Sequence, residues 1–206
     1  MLSESSPQAQ SLPPPSGYMI KILPPPGPSI STLYHSRSPA TPQIFSDAMT
    51  IRLQVFCTEQ GCSAANELDE DDQRSWHWVT YDTFSDKPIA CTRLVPPPHA
   101  PHPNGCENPE EKPYVKLTRL AVLPEARGRG LAKVLCEEAV GWAARNQEEI
   151  GGGWDGLVLV HAQVGVEKVW TRLGFKTDER LGRWDEEGIA HLGMWRELDL
   201  TAQKIG

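Results

Sequence analysis

One stretch constrains the fold of this chain more than any other, because it joins a strand-like segment to a helical one through a tight basic turn. The segment YVKLTRLAVLP (114–124) predicts a long strand, and GRGLAKVLCEEAVGWAARN (128–146) predicts a helix with one apolar side. Two arginines alternate with two glycines in the ARGRG turn between them. A strand that passes directly into a helix indicates a mixed α/β domain.

The rest of the chain continues this alternation. Further strands are predicted over 17–23, 75–82, 88–96, 156–163 and 191–198, and further helices over 47–59 and 166–174. The order predicts a single domain over 17–206 with a central sheet. Residues 1–16 are rich in Ser, Pro and Gln and predict a flexible tail. The segment 96–113 contains too much proline for regular structure and predicts a long loop inserted between two strands.

Composition limits the classes of function. The net charge of −7 argues against nucleic acid as a partner, since phosphate contacts need a basic excess. It favours a cationic substrate such as an amine, although acidity that only aids solubility explains it equally well. No apolar run approaches the about 20 residues that span a bilayer, and the first residues lack the features of a secretory signal. Five scattered cysteines without a CxxC pair are typical of reduced thiols, so a cytoplasmic protein is expected.

The ARGRG turn has the chemistry of an anion site. A helix N-terminus presents unpaired N–H groups, and Gly128 and Gly130 allow a ligand to approach the backbone closely. Arg127 and Arg129 add forked, charged donors for phosphate oxygens. On the motif alone, an ordinary solvated helix start is an equally good interpretation. The turn lacks the Gly-Lys-Ser/Thr of a Walker A loop and the third glycine of a dinucleotide fingerprint.

Several motifs in order resemble those of the GNAT superfamily of acetyl-CoA-dependent N-acetyltransferases. Residues 127–132 match its R/Q-x-x-G-x-G/A signature, and WTRLGF (170–175) resembles its YEKLGF segment. Four segments resemble the ElaA-like branch and its fungal relatives: the helix RLQVFCTEQ (52–60), the acidic loop NELDEDDQ (66–73), the strand end HAQ (161–163) and the closing DEEGIAHLGM (185–194). The resemblance covers about 17–198. It implies a central mixed, mostly antiparallel sheet of six to seven strands flanked by about four helices.

The resemblance also implies acetyl-CoA as the acyl donor. Its pyrophosphate would lie on the turn, its pantetheine arm along the strand before the turn, and its acetyl group where two neighbouring strands separate. The cofactor-binding residues implied are Leu120, Ala121, Val122, Leu123, Arg127, Gly128, Arg129, Gly130, Leu131, Ala132, Gln163 and Trp170. Trp170 stands where the family commonly has a tyrosine acid. An indole cannot protonate the leaving thiolate, so packing beside the sulfur is the expected role.

Two residues are candidates for the catalytic steps that the resemblance implies. His161 ends a buried strand at the expected point of separation, and its pKa range suits proton transfer, although a histidine satisfied within the core is equally consistent. Glu59, at the end of a predicted helix, could orient an ammonium ion or be a solvated terminus. The residues expected to contact an acceptor are Glu67, Asp69, Asp72, His77 and His191. A solvated acidic loop is the alternative for the three acids.

The sequence thus predicts transfer of an acetyl group to a primary amine of a small molecule. Two alternatives stay open: a catalytically weak acyl-CoA-binding or regulatory module, suggested by Trp170, and a protein or peptide N-acetyltransferase, in which the 96–113 loop would shape a groove. Neither nucleic acid nor membrane is expected as a partner, whereas a homodimer through the last strands is. No metal is expected, because the spacing of His99, His102 and Cys106 matches no zinc pattern.

Overall fold

The computed structural model describes residues 17–104 and 112–201. The predicted tail at 1–16, part of the 96–113 loop and Cys106 lie outside the described residues. The strands are β1 (Tyr18–Leu23), β2 (Trp76–Asp82), β3 (Pro88–Val95), β4 (Val115–Val122), β5 (Leu157–Gln163), β6 (Lys176–Thr177), β7 (Arg183–Glu186) and β8 (Ile189–Glu197). The helices are α1 (Ile30–His35), α2 (Gln43–Arg52), α3 (Leu131–Arg145), α4 (Gln147–Ile150) and α5 (Glu167–Arg172).

All the strands belong to one sheet, in the order β1-β2-β3-β4-β5-β8-β6, with β7 paired to β8. Every pairing is antiparallel except that of β4 with β5. The two parallel strands are in register only at Val115 with Val158 and at Lys116 with Leu159. Beyond these two pairs β4 and β5 separate, and this separation creates the cleft described below.

Helices cover both faces of the sheet. On one face α3 places Leu131, Leu135 and Ala139 in a core with the tryptophans of β2. On the other face α2 packs Ala48 and Ile51 against β2 and β3. Every residue of β2 is buried, as expected for a strand between two helical layers. Each Å² of apolar surface that these two interfaces remove from water stabilises the fold by about 25 cal/mol.

The mixed α/β fold with a central, mostly antiparallel sheet is confirmed, and all six predicted strands are present within two residues of their predicted ends. The described part of the sheet has eight strands because β6 and β7, of two and four residues, were not predicted. Strands this short show no readable period. The helices α1 and α4 were missed for the same reason. The predicted helix at 47–59 begins earlier, at Gln43, and its last part, Leu53–Glu59, is π-helical.

Two further observations concern possible membrane-spanning helices and the state of the cysteines. Within 17–104 and 112–201, none of the helices has the length and apolar character needed to cross a membrane. Cys57, Cys62, Cys91 and Cys136 are free thiols.

Candidate active site

A cleft of about 940 Å³ lies where β4 and β5 separate. One wall is β4 from Lys116 to Val122, and the other includes residues of β5, α5 and the β7–β8 turn. The π-helical end of α2 and the proline-rich segment 100–103 close two further sides. Of the predicted site residues, the cleft is lined by Glu59, Glu67, Asp69, Leu120, Ala121, Val122, Arg127, His161, Gln163, Trp170 and His191.

The ARGRG turn adjoins the cleft through Arg127. Gly128 and Gly130 both have left-handed backbone angles, with φ of 77° and 78°, and Gly130 is the residue before the first turn of α3. A Cβ added to either glycine would meet no atom within 4 Å, so the space above the turn is open to a ligand. Leu131 is buried in the core, which leaves its backbone for any ligand contact. The turn therefore has the form of an anion cradle at a helix N-terminus.

The arginines of this turn already have carboxylate partners. Arg127 donates to both carboxylate oxygens of Glu59, at 2.8 and 2.6 Å, and its Nε donates to the carbonyl of Val122 at 3.1 Å. The hydrogen bonds from Arg127 lower the pKa of Glu59. Arg129 lies 3.3 Å from Asp82. The predicted catalytic Glu59 and the predicted phosphate ligand Arg127 are therefore in direct contact.

The β4 wall offers a free backbone edge. Among the described residues, the side of β4 that faces β5 has no strand partner after Lys116. Its other side pairs with β3, and the register of this pairing shifts at a bulge between Cys91 and Arg93. Arg119 lies in this bulge, where Arg119 and Leu120 stand opposite the single residue Thr92, and it has a φ of 54°, in the left-handed region. Bulges turn a strand and redirect its groups, and here the residues that pack in the core with α3 shift from Val115 and Leu117 to Leu120 and Val122. Leu120, Ala121 and Val122 line the cleft, whereas Leu123 packs beside α2.

His161 lies at the end of β5 with its side chain 17% exposed. Nε2 is buried and has no hydrogen-bond partner in the described structure, and Nδ1 is 3.9 Å from a carboxylate oxygen of Glu186. Burial, then Lys116 and neighbouring histidines, hold the pKa of His161 well below its usual value. The imidazole is therefore neutral near pH 7 and able to accept a proton.

Several residues around His161 were not among the predicted site residues. The rings of His102 and Trp184 both lie 4.8 Å from its ring. Glu186 accepts from the indole of Trp184 at 3.0 Å and lies 3.7 Å from Nε2 of His191. These residues come from the proline-rich segment and the unpredicted β7, so no local pattern could have linked them to His161.

The acidic loop is not free to meet an acceptor in the way the sequence suggested. Arg52 binds Glu67 at 2.6 Å and Asp72 at 2.7 Å, and both carboxylates are buried. Burial alone would raise the pKa of Asp72, but the adjacent Arg93 and Arg52 hold it well below the usual range. Asp72 is fully buried and outside the cleft lining, so direct contact with an acceptor does not fit this arrangement.

The remaining two predicted acceptor residues of this region differ in position. Asp69 lines the cleft but is held by Arg93 at 2.6 Å and Arg119 at 3.0 Å. His77 is buried behind the cleft, where its Nε2 bonds with the carbonyl of Asp72 at 2.9 Å. Burial lowers the pKa of His77 to about 4. His77 therefore supports the ion-pair network rather than facing the cleft, which corrects its predicted role.

Trp170 and Gln163 lie on the β5–α5 side of the cleft. Trp170 is 8% exposed and packs edge-on against Phe175, with ring centroids 5.2 Å apart. Gln163 donates to the side chain of Gln60 at 2.8 Å. Both residues line the cleft. Among 17–104 and 112–201, no three His, Cys, Asp or Glu side chains are grouped to hold a metal ion.

Comparison with known proteins agrees with this geometry. Residues 31–175 match the model of the acetyltransferase (GNAT) family. The chain belongs to the GNAT family. A relative described as the uncharacterized N-acetyltransferase YjcF of Bacillus subtilis is 27% identical over 151 residues, which cover 73% of this chain and 91% of the relative.

Solved GNAT structures have the same fold. A putative N-acetyltransferase from Lactobacillus plantarum gives a TM-score of 0.62 at 23% identity, covering 88% of this chain and 99% of that one. Escherichia coli ElaA gives 0.61 at 20% identity, covering 88% and 100%. The NatC complex bound to Gag peptide and CoA gives 0.57 at 16%, covering 88% and 99%. These identities show the fold alone. The predicted resemblance to ElaA is confirmed at that level, and the family places the protein among the acyltransferases.

Proposed function

We propose that this protein transfers an acetyl group from acetyl-CoA to the primary amine of a small molecule. One observation supports this most directly: an unpaired β4 edge joins the glycine turn at the start of α3 to a neutral histidine on β5. A strand edge for the pantetheine arm, an anion cradle for the pyrophosphate and a base for the acceptor amine thus line or adjoin one cleft, which suits acyl transfer from a CoA thioester.

The residues present fit CoA. The open space above Gly128 and Gly130 suits the pyrophosphate, with donors from the N-terminus of α3 and from Arg127 and Arg129. The free edge of β4 from Leu120 to Val122 suits the amide groups of the pantetheine arm, with Gln163 across the cleft. When bound, acetyl-CoA supplies the activated acyl group as a thioester.

The chain's own groups have the following roles in the proposal. The imidazole of His161, 17% exposed, takes a proton from the acceptor ammonium, which is mostly protonated near pH 7 because its usual pKa is about 10. Backbone N–H groups of the β4 edge near Ala121 stabilise the oxyanion. Trp170 excludes water beside the sulfur, and the thiolate, with a usual pKa of about 8.5, leaves without an acid from this residue.

The far end of the cleft supports a small acceptor. At the β7–β8 turn, Glu187 accepts from the backbone N–H of Ser63 at 2.5 Å and from the amide of Asn66 at 2.6 Å. These bonds tie the turn to the segment after α2. The proline-rich residues 100–103 close another side. The result favours an enclosed pocket over an open groove for a peptide.

Release of free thiol tests the proposal directly. The purified protein is mixed with acetyl-CoA and a panel of amino sugars, polyamines, amino acids, aryl amines and short peptides. We expect thiol release above the acceptor-free rate with at least one small amine, and less with peptides. Calorimetry that detects CoA binding without turnover would instead support a binding module, and recovery of turnover in Trp170→Tyr would assign that loss to the missing tyrosine.

A further inference from the structure

Lys116 is a cleft cation that, among the described residues, has no carboxylate at ion-pair distance, although Asp71 and Glu186 act on it from farther away. It lies on β4, is partly buried and lines the cleft wall. In the described part of the chain no carboxylate oxygen is within 4.0 Å of its Nζ, and the closest recorded contact is the ring of Tyr114 at 6.0 Å. Burial lowers the pKa of this ammonium. A partly buried cation without an ion-pair partner is unfavourable unless a ligand supplies the anion.

The position of Lys116 places it beside the candidate base. Lys116 pairs with Leu159 at the last point where β4 and β5 are in register. Paired residues of parallel strands point to the same face of the sheet, and residues two apart on one strand share that face. His161 is two residues beyond Leu159, so Lys116 and His161 project from the same face, and both line the cleft.

Glu186 is a carboxylate of the same pocket that, within the described residues, has no Arg or Lys partner. Glu186 has a side chain 44% exposed, and its recorded partners are the indole of Trp184 and two imidazoles. Among the described residues, no Arg or Lys nitrogen is within 4.0 Å of it. Glu67, Asp69 and Asp72 differ, since Arg52, Arg93 and Arg119 bind them. The pocket thus offers a ligand a cation at Lys116 and an anion at Glu186, whereas the carboxylate of the neighbouring Glu187 already accepts hydrogen bonds from Ser63 and Asn66.

We propose, on the basis of the N-acetyltransferase function above, that the acceptor is an amine that also carries an anionic group, either a carboxylate or a phosphate. Lys116 binds the anionic group, and Glu186 faces the ammonium before His161 removes its proton. Lys116 is in this view a specificity-determining residue, and the amine without the anionic group is a poor acceptor because it leaves Lys116 unpaired.

Matched pairs of acceptors test this assignment. One pair is an amino acid and the amine formed by its decarboxylation, and the other is an aminoalkyl phosphate and the corresponding amino alcohol. Affinity is measured by calorimetry on the full chain with CoA present, and kcat/KM by thiol release. We expect the anionic member of at least one pair to be favoured about tenfold or more, and the pair with the larger ratio identifies the anion.

Substitution of the lysine separates its role from general effects. In Lys116→Met the ratio should fall to within about twofold while CoA affinity is unchanged. Lys176→Met, at an exposed lysine of β6 outside the cleft lining, should keep the wild-type ratio. Ratios near one in the wild-type protein, or an equal loss for both members of a pair in Lys116→Met, overturn the assignment.

The two proposals fail in different ways. Turnover of amines with no preference for the anionic members rejects the role of Lys116 and leaves N-acetyl transfer in place. Selective binding of anionic amines without any thiol release keeps the subsite and rejects the transfer reaction. Absence of selective binding in every pair overturns the subsite, whatever the activity.

Discussion

Arg127 and Glu59 bind each other at the edge of the cleft, although the sequence suggested separate roles for them. In the proposed complex the pyrophosphate competes with Glu59 for the guanidinium of Arg127, because one planar fork cannot serve both anions fully. Binding of CoA would therefore release the Glu59 carboxylate toward the cleft, where it could orient an ammonium.

We predict that Glu59→Gln tightens CoA binding roughly two- to fivefold, since an exposed ion pair of this kind is weak. Calorimetry on the wild-type protein and in an Arg127→Gln background checks this. The gain should vanish in the Arg127→Gln background. A gain of equal size in both backgrounds would indicate simple repulsion between Glu59 and the phosphates.

His161 is the residue on which the chemistry of the proposal depends. We predict that His161→Gln lowers kcat by about 10²–10⁴-fold and changes CoA affinity less than twofold, because the imidazole acts on the acceptor proton. The acidic limb of the wild-type kcat/KM profile should lie below pH 6.5, since burial lowers the pKa of His161. Exposed His35→Gln is the control. A loss below threefold would exclude His161 as the base.

At the scale of elements, the strand–turn–helix unit was predictable because its signals are local. Apolar spacing defines α3, and the positive φ of Gly128 and Gly130 needs glycine. The bulge at Arg119 and the short strand β7 were not predictable, since they depend on pairing with distant segments. In the proposed complex these unpredicted features lie on the acceptor side of the cleft, and for that reason the proposed CoA side was the easier one to derive.

The glycine turn gives a prediction at this scale. In Gly130→Val, backbone strain should lower the free energy of unfolding by about 1–3 kcal/mol, and the new side chain should weaken CoA binding at least tenfold by occupying the cradle. Gly27→Val is a matched control, because Gly27 has a φ of 84° and equally open surroundings outside the cleft lining. Chemical denaturation and calorimetry measure the two effects. Equal CoA affinities for both variants would reject the cradle.

At the scale of the whole molecule, buried histidines couple folding to pH. Burial lowers the pKa of both His77 and His99 to about 4, against about 6.5 in an unfolded chain. The unfolded state therefore binds more protons below pH 6.5. Stability from these groups is present above pH 6.5 and is lost as the pH falls toward 4.

We predict that the free energy of unfolding decreases by about 3 kcal/mol per histidine across that window, or about 1.4 kcal/mol per pH unit for each. Urea denaturation at half-unit pH steps measures it. The amide of His99→Gln can still donate to the carbonyl of Tyr114. This variant should therefore lower the slope of unfolding free energy against pH by about 1.4 kcal/mol per pH unit, the share of one histidine, and His35→Gln should leave the slope unchanged. A slope that is unchanged in His99→Gln would contradict the assignment.

The sequence by itself determined the order of the main strands and helices, the glycine turn before α3 and the resemblance to the GNAT family, because each depends on residues close together in the chain. Three points stay predictions: that residues 17–206 form a single domain, that the protein is cytoplasmic and that it forms a homodimer. Only the tertiary structure decided which charges are neutralised. Arg52 and Arg93 reach the acidic loop from other elements and pair its carboxylates, whereas within 17–104 and 112–201 neither Lys116 on β4 nor Glu186 on β7 has an oppositely charged Lys, Arg, Asp or Glu side chain within 4.0 Å. Charge pairing depends on distance in space, which the spacing of residues along a chain does not fix.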